Sequence, residues 1–89
     1  MVKVRVTYIG SLADALGLHS EVIEISSDNT VITVGELIKF LSLTKPFFKT
    51  FMSSVPLIHV FINDEEASVS DTLKEGDKVT LMPPLYEGG

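Results

Sequence analysis

The sequence predicts an α+β fold in which one mixed β-sheet of four to five strands wraps around one main helix, with short helices beside it. Three observations favour this class. The first residues alternate between apolar and polar, as in a strand with one buried face. Apolar residues before the middle of the chain recur at helical spacing behind a capping box. Strand-like runs separated by turn residues then fill the second half.

The first quarter of the chain predicts two paired strands joined by a compact connection. Val2 to Tyr8 place valines and tyrosine at every second position, which is the period of a half-buried strand. Glu21 to Ile25 are rich in β-branched residues and favour a strand that pairs with the first. Between them, Ser11 and Asp14 have the spacing of a capping box, and Gly17 is suited to end the short helical turn that follows.

The main helix is predicted to begin at a second capping box, formed by Thr33 and Glu36. Its apolar face comprises Val34, Leu37, Ile38 and Leu41. The helix should end before Pro46, since the residue preceding a proline disfavours helical angles. Pro46 is itself suited to the first position of a second short helix. That helix is expected to cover the open side of the sheet with Phe47, Phe48, Phe51 and Met52.

The second half predicts three strands separated by polar turns. The nearly continuous apolar run Leu57–Ile62, after Pro56, is typical of a central strand covered on both faces. Residues 63–66 are expected to form a tight polar turn, and residues 67–69 a short edge strand. Residues 71–77 indicate a capped turn closed by glycine. The last strand, from Lys78 to Met82, alternates again.

Composition excludes several classes of function. Twelve acidic and seven basic residues give a net charge of −5, the wrong sign for a protein that binds a nucleic acid backbone. The chain has no cysteine, which excludes disulfides, thiolate metal sites and a nucleophilic thiol. No apolar stretch approaches the roughly 20 residues needed to span a bilayer, and no signal sequence is apparent. A cytoplasmic protein with neither nucleic acid nor membrane as a partner is expected.

The sequence does not predict an active site within the chain itself. His19 and His59 lack the spaced partners of a metal site, and we expect both to be structural. The acidic run Asp64–Glu66 is interpreted as a solvated turn, because successive residues do not converge on one point as a catalytic carboxylate pair must. No glycine-rich phosphate loop is present. We therefore expect the chain to bind no cofactor or metal of its own.

The final residues, Gly88 and Gly89, suggest chemistry performed on the chain rather than by it. A glycine tail lacks Cβ atoms and can thread a channel too narrow for side chains. An ionised terminal carboxylate is a poor acyl electrophile, so its use requires activation, most simply by ATP bound to another protein. The alternative interpretation is an unstructured terminus without function, because chain ends are usually loose.

The closing segment carries a resemblance to a known family. The residues concerned are Leu73–Val79 and Pro83–Gly89, supported by the helix that begins at Thr33 and by the turn at Asn63. The chain resembles the MoaD/ThiS group of ubiquitin-like β-grasp sulfur carriers. Its two prolines before the tail are similar to those of the MoaD branch, which is the small subunit of molybdopterin synthase. The resemblance implies a β-grasp domain over residues 1–84 and a flexible tail over residues 85–89.

The resemblance also implies a reaction cycle and two partners. A MoeB-like enzyme would use ATP to adenylate the carboxylate of Gly89, and sulfur transfer would convert it to a thiocarboxylate. The tail would then insert into a MoaE-like large subunit, within a heterotetramer, and donate sulfur to the pterin precursor of the molybdenum or tungsten cofactor. Gly89 would thus be a cosubstrate in a subunit that is not itself catalytic. The expected partner-binding residues are Ile9, Met82, Pro83, Pro84, Leu85, Tyr86 and Gly88.

Two departures from the family pattern leave alternatives open. The segment Leu85–Glu87 is one residue longer than is common, which changes the reach of the tail, and Glu66 stands where relatives present an apolar contact. The same activated terminus would also serve a protein modifier attached to lysines, or a sulfur carrier for thiamine or tRNA thiolation. A simple interaction module, which would bind its partner without the last two residues, is the remaining hypothesis.

Overall fold

The computed structural model describes residues 1–55 and 58–84. Within them lie two sheets and three helices. In chain order the elements are β1 (Val2–Tyr8), α1 (Ser11–Leu16), β2 (Ser20–Ile25), β3 (Val31–Thr33), α2 (Val34–Thr44), α3 (Pro46–Ser54), β4 (His59–Ile62), β5 (Glu65–Ala67), β6 (Thr72–Lys74) and β7 (Lys78–Met82). The α+β class predicted from the sequence is confirmed.

The main sheet has five strands in the order β2-β1-β7-β4-β5. Strands β1 and β7 run parallel, with Val6 opposite Val79, whereas the other neighbouring pairs are antiparallel. The sheet is therefore mixed, as predicted. The last strand along the chain occupies its centre, so the residues that follow β7 leave from the middle of one end of the sheet.

The core lies on one face of this sheet, beneath the three helices. The alternating residues of β1 have almost no accessible surface, and they join the buried residues of β7 and of the helices in one cluster. Burial of each such side chain is worth about 1.5–3 kcal/mol relative to exposure. The fully buried members are Val2, Val4, Val6, Tyr8, Leu12, Val34, Leu37, Leu41, Phe48, Leu73, Val79 and Leu81.

The start and end of the main helix are those predicted. The backbone N–H of Glu36 donates to Thr33 Oγ1 over 3.0 Å, and the backbone N–H of Thr33 donates to Glu36 Oε1 over 2.8 Å. This reciprocal pair satisfies two amide groups that the first turn of a helix leaves without partners. The helix ends at Thr44, and Pro46 takes the first position of α3.

The capping box predicted at Ser11 and Asp14 is wrong. Ser11 is already the first residue of α1, and the N-terminal flanking residue is Gly10, with no side-chain cap. A capping hydroxyl must belong to the flanking residue, which has non-helical backbone angles. Gly10 adopts φ 62° and ψ −136°, a conformation that favours glycine. The predicted end at Gly17 is confirmed, with left-handed φ 76°.

The predicted turn over residues 71–77 contains a strand that the sequence did not reveal. Strand β6 pairs antiparallel with β3, which lies directly before α2, and Ile32 is opposite Leu73. Both side chains are buried. Three-residue strands are too short to show a period of two, so this pairing depends on contacts between residues about forty positions apart. The prediction of a turn holds only for the glycine at its end, Gly76, which has φ 88°.

Strand β4 is internal in the sheet but is not covered on both faces, contrary to the prediction. Val60 is buried, whereas His59 and Phe61 are only half-buried. The three helices cover one face of the sheet, so the alternate side chains of β4 point to the other. The predicted start of this strand at Leu57, after Pro56, lies outside the described residues.

The turn between β4 and β5 is shorter than predicted. Only Asn63 and Asp64 form it, with φ values of 50° and 74°, and Glu65 and Glu66 already belong to β5. Two consecutive residues with positive φ produce the two-residue turn whose twist matches an antiparallel hairpin. The edge strand therefore ends at Ala67, and Val69 is exposed rather than part of the strand.

The phenylalanines of α3 cover the core only in part. Phe48 is fully buried, and Phe51 and Met52 are half-buried against the same cluster. Phe47 remains 68% exposed, which contradicts the prediction that it covers the sheet. A helix buries one side, and Phe47 and Phe48, as neighbours about 100° apart around the axis, do not both face the core.

None of the helices formed by residues 1–55 and 58–84 has the length and apolar composition required to cross a membrane.

Candidate functional site: the open sheet face and the exit of the tail

The face of the main sheet that the helices leave uncovered is called here the open face. Alternation along the strands places side chains of β1, β7, β4 and β5 on it in rows. One row contains Thr7, Thr80, Phe61 and Glu66, each directly opposite the next. The neighbouring row, nearer the exit of the tail, pairs Met82 with His59.

Apolar side chains lie together on the open face at the end from which the tail leaves. The backbone N–H of Ile9 donates to the carbonyl of Leu81 over 3.0 Å, which extends the pairing of β1 with β7 by one residue. Ile9 is 36% exposed, and Met82 and Phe61 are half-buried. The structure thus brings together Ile9 and Met82, two of the residues predicted to bind partners. Together with Phe61 they form what we call the apolar patch.

The two prolines after β7 fix the direction in which the chain continues. Pro83 is buried, and a Cβ atom placed on Gly10 would lie 3.8 Å from Pro83 Cγ. Pro84 is half-buried. Pro83 therefore packs beneath the exit of the tail and offers little surface to a partner. The other predicted site residues, Leu85, Tyr86, Gly88 and Gly89, lie outside the described residues.

Phe61 is a member of the patch that sequence reasoning missed. The run of apolar residues around it indicated a strand covered on both faces, so none of its side chains was expected on a binding surface. The signal that could have found Phe61 is strand alternation, because its neighbour Val60 is buried and successive side chains of a strand point to opposite faces. That signal is weak, since an apolar residue on either face gives the same pattern.

The rim of the open face is polar and carries both signs of charge. His59 Nδ1 lies 3.8 Å from Glu66 Oε2 on exposed side chains, a contact too long and too solvated to add much stability. Arg5 is exposed opposite Lys78, whose Nζ is 3.1 Å from Asp64 Oδ1. An apolar centre with a polar rim is the usual organisation of a protein interface.

A buried carboxylate supports the strands behind this face. Asp77 receives hydrogen bonds from the backbone N–H of Lys74 over 2.9 Å, from Asn63 Nδ2 over 3.0 Å and from Lys74 Nζ over 3.2 Å. Burial alone would raise the pKa of Asp77, but these donors together hold it below its usual value. Asn63 also accepts from the backbone N–H of Lys78 over 3.0 Å, so the network joins the β4–β5 turn to the start of β7.

A second polar network lies behind the end of β1. The hydroxyl of Tyr8 donates to Glu21 Oε2 over 2.7 Å, and Lys45 Nζ is 2.8 Å from the same oxygen. Burial, followed by the hydrogen bond and the negative charge of Glu21, raises the pKa of Tyr8 well above its usual value. The network connects the residue before Ile9 with the junction of α2 and α3.

The described residues present a surface with an apolar centre. Among residues 1–55 and 58–84, no three His, Cys, Asp or Glu side chains lie close enough to hold a metal ion together. The acids Asp64 to Glu66 are exposed around the hairpin turn. What the geometry provides is an apolar patch beside the origin of a glycine-ended tail.

The sequence matches one protein family over nearly its whole length. Residues 6–88 match the ThiS family. No curated protein matches the sequence significantly.

Solved structures show the same fold. A protein from Pyrococcus furiosus, titled "putative molybdopterin converting factor, subunit 1", superposes with a TM-score of 0.75 at 25% identity, over 96% of this chain and all of its own. SAMP1 from Haloferax volcanii superposes with a TM-score of 0.78 at 23% identity, over 98% and 99% of the two chains. A complex of subunits 1 and 2 of the molybdopterin-converting factor from Helicobacter pylori 26695 contains a chain with a TM-score of 0.64 at 20% identity, over 94% and 96%. These likenesses confirm the ubiquitin-like β-grasp fold.

Proposed function

The chain belongs to the ThiS family of ubiquitin-like sulfur carriers and modifiers, and on that premise we propose that it is the sulfur-carrying small subunit of molybdopterin synthase. The observation that carries the proposal is the family match, which extends through the tail to Gly88. The likeness to the Pyrococcus furiosus protein, over all of that chain, supports the molybdopterin branch. So do the consecutive prolines Pro83 and Pro84.

The chemistry takes place on the carboxylate of Gly89 as the C-terminal residue. A MoeB-like enzyme would supply ATP, and a carboxylate oxygen would attack its α-phosphorus, releasing pyrophosphate and forming an acyl-adenylate. Sulfur transfer would then displace AMP and leave a thiocarboxylate. Adenylation is needed because an ionised carboxylate is a poor acyl electrophile, whereas AMP is a good leaving group. This chain contributes the carboxylate, and the ATP is bound by the partner.

The geometry suits a chain that delivers its terminus into another protein. Strand β7 lies at the centre of the sheet, with a hydrogen-bonded neighbour on each side, so the tail starts from a rigid base. The apolar patch would dock on the partner while residues 85–89 enter its active site. Gly88 and Gly89 would pass the narrowest part of that site, because they have no side chains. Leu85 and Tyr86 would contact its entrance.

The proposed docking partner for sulfur donation is a MoaE-like large subunit, in a heterotetramer. The Helicobacter pylori structure, which by its title joins subunits 1 and 2 of a molybdopterin-converting factor, contains this fold and supports a partner of this kind. The thiocarboxylate would give its sulfur to a pterin precursor bound by that subunit. Ile9, Phe61 and Met82 would form the centre of the interface, where buried apolar side chains contribute most to affinity.

A protein modifier is the second candidate function, and it shares the first chemical step. In that case a lysine amine of another protein would attack the acyl-adenylate or a derived thioester, forming an isopeptide bond to Gly89. SAMP1 shares the fold of this chain, but an identity of 23% supports a common fold and not a common function. A sulfur carrier for thiamine or tRNA thiolation would likewise differ only in the acceptor of the sulfur.

The first test combines the purified chain with a MoeB-like adenylating enzyme, ATP and a sulfide source. Intact mass should increase by the replacement of one oxygen by sulfur, and fragmentation should locate the change at Gly89. A chain lacking Gly88 and Gly89, treated identically, is the control and should remain unmodified. Absence of any change in the full chain would contradict the carrier function.

A second measurement distinguishes the two candidate functions. The chain is isolated from its native cell and its terminus is examined by mass spectrometry. A thiocarboxylate at Gly89, with dithiolene formation on addition of the large subunit, would support the synthase. Chains linked to lysines of other proteins, without a thiocarboxylate, would favour the modifier.

A further inference from the structure

Strand β2 forms one edge of the main sheet, with β1 as its neighbour. The backbone N–H of Tyr8 donates to the carbonyl of His19 over 2.8 Å, so alternation along the antiparallel pair directs the odd-numbered residues of β2 to β1. The N–H and C=O groups of Ser20, Val22 and Glu24 therefore point away from β1, to a side where no strand of residues 1–55 and 58–84 pairs with them. We call this row of backbone groups the β2 edge.

The opposite edge of the sheet, strand β5, is protected in a way that β2 is not. Strand β5 has three residues, and its pairing with β4 leaves the backbone groups of Glu66 pointing outward. The next outward N–H, that of Ser68, donates to Asp71 Oδ2 over 2.8 Å. Natural proteins shorten or block their edge strands in this manner, because an open row of backbone groups is a template for another strand. Strand β2 has six residues and contains neither proline nor lysine.

The β2 edge is complementary to a second copy of itself. When two copies pair antiparallel about a two-fold axis at Val22, this residue stands opposite its equivalent, and Ser20 stands opposite Glu24 at both ends. All three outward residues of each copy then exchange hydrogen bonds with the other. Val22 is 50% exposed, and paired β-branched side chains on neighbouring strands stabilise a sheet. A shift of two residues in either direction removes the contact between the two valines.

The charges beside the β2 edge are compatible with this pairing. Both glutamates of the strand have a lysine partner in their own chain. Glu21 Oε2 is 2.8 Å from Lys45 Nζ, and Glu24 Oε2 is 3.6 Å from Lys3 Nζ. In the two-fold register neither glutamate stands directly opposite a charged residue of the other copy. The pairing therefore avoids the destabilisation that like charges cause when they face each other across two strands.

Apolar surface adjoins the β2 edge on the helical side of the sheet. Leu18, Lys45 and Phe47 line a shallow cleft of about 250 Å³. The cleft lies beside the start of β2, because Leu18 is two residues before Ser20 and Lys45 is paired with Glu21. Phe47 is 68% exposed. A two-fold axis perpendicular to the sheet places the helices of both copies on the same side, so these side chains would extend the contact beyond the strands.

We propose that two copies of this chain associate through their β2 edges, in an antiparallel pairing centred on Val22 that joins their five-stranded sheets into one. The association is weak, because two paired strands with a small apolar flank bury less than the roughly 800 Å² per partner of a standard interface. Strand β1 lies between β2 and β7, so the pairing does not use the apolar patch. The dimer is therefore independent of the proposed carrier function.

The test measures the mass of the full chain in solution by sedimentation equilibrium, from about 10 μM to about 1 mM, the range of a weak complex. The weight-average mass should approach twice that of one chain at the upper end. Hydrogen exchange followed by NMR should show protection of the amides of Ser20, Val22 and Glu24 that grows with chain concentration. The amide of Ile23, which faces β1, should be protected throughout.

Val22→Pro should keep the chain monomeric over this range, because it removes an outward N–H at the centre of the pairing and puts a ring in its place. Proline is tolerated on an edge strand where the N–H faces solvent, so the fold should persist. Val22→Thr is the matched control, since it keeps both the N–H and a β-branched side chain, and it should still dimerise. The dispersion of the NMR spectra checks that both variants are folded.

Two further variants test the register without proline. Val22→Lys and Val22→Glu each place like charges opposite each other at the two-fold axis, and each variant alone should be monomeric. An equimolar mixture of the two should form a heterodimer, because opposite charges then face each other. This rescue depends on the pairing of residue 22 with itself.

Several outcomes would overturn the proposal. A mass that stays that of one chain up to about 1 mM would exclude the dimer. Dimerisation with no added protection at Ser20, Val22 and Glu24 would place the interface elsewhere, and so would a folded Val22→Pro chain that dimerises like the wild type. Failure of the mixed variants to associate would exclude the register centred on Val22.

Discussion

Asp77 illustrates how single side chains stabilise the base of the tail. It is the buried charged residue among those the structure describes, and its carboxylate accepts hydrogen bonds from two parts of Lys74 and from Asn63. These bonds favour the ionised form and lower the pKa despite burial. The folded chain therefore binds this proton less readily than the unfolded chain. The stabilisation is fully present above the unfolded pKa of about 3.9 and is lost as pH falls through the lower folded value.

Substitution of Asp77→Asn should destabilise the protein by about 1–3 kcal/mol at neutral pH, because an amide replaces a charged acceptor with three donors around it. The free energy of unfolding, measured in urea at pH 7 and again at pH 3, should show a smaller difference from the wild type at the lower pH. Asp28→Asn, on an exposed residue, should have little effect at either pH. An equal loss at both pH values would contradict the assigned ionised role of Asp77.

At the scale of elements, some helices and strands are determined by neighbouring residues and others by contacts between residues far apart in the sequence. Helix α2 begins where Thr33 and Glu36 exchange hydrogen bonds, and α3 begins at Pro46, as the sequence indicates. Strands β3 and β6 instead depend on each other, through Ile32 and Leu73. Thr33 takes part in a local and in a nonlocal feature, because it caps α2 and is also the last residue of β3. This residue therefore joins the small sheet to the main helix.

Replacement of Thr33→Ala should cost about 1 kcal/mol of unfolding free energy, the usual value for loss of an N-terminal helix cap. The denaturant midpoint should fall, while the dependence of the free energy on denaturant stays unchanged. The matched control is Thr50→Ala, because Thr50 is exposed within α3. Alanine has the higher helix propensity, so this control should be neutral or slightly stabilising. Equal losses in the two variants would contradict the capping role.

On the scale of the whole molecule, the residues that stabilise the fold and the residues proposed to react lie in different parts of the chain. The buried cluster ends at Leu81, and Pro83 is buried immediately after β7. The patch that would meet a partner lies outside the core, on the open face. Binding at this patch therefore need not alter the packing of the core.

Deletion of Gly88 and Gly89 should separate folding from function. The thermal midpoint should stay within about 1 °C of the full chain, because a shift of several degrees would require about 1 kcal/mol in a domain of this size. Thiocarboxylate formation by the adenylating enzyme should be abolished. The two properties are measured on one preparation by differential scanning calorimetry and by intact mass. Retained sulfur incorporation would exclude Gly89 as its site, and a marked loss of stability would show that the tail contributes to the fold.

The candidate site was predictable only in part. Ile9 and Met82 were expected on a partner surface from the family resemblance, and the structure places both at the tail exit. Phe61 was missed, because periodicity cannot show which face of an apolar strand is covered. Pro83 was expected at the surface but is buried against the loop at Gly10. Each of these differences depends on what packs over a residue, which local sequence does not record.

The sequence by itself determined the α+β class, the first two strands, the main helix, the helix that begins at Pro46, the last strand and the family, which the match to the ThiS family confirms. These features follow from short-range causes: periodicity of side chains, caps, proline and the residues of the tail. Tertiary structure alone decided the pairing of β3 with β6, the single covered face of β4 and the exposure of Phe47. The physical reason is that burial depends on which elements meet, and those contacts join residues far apart along the chain.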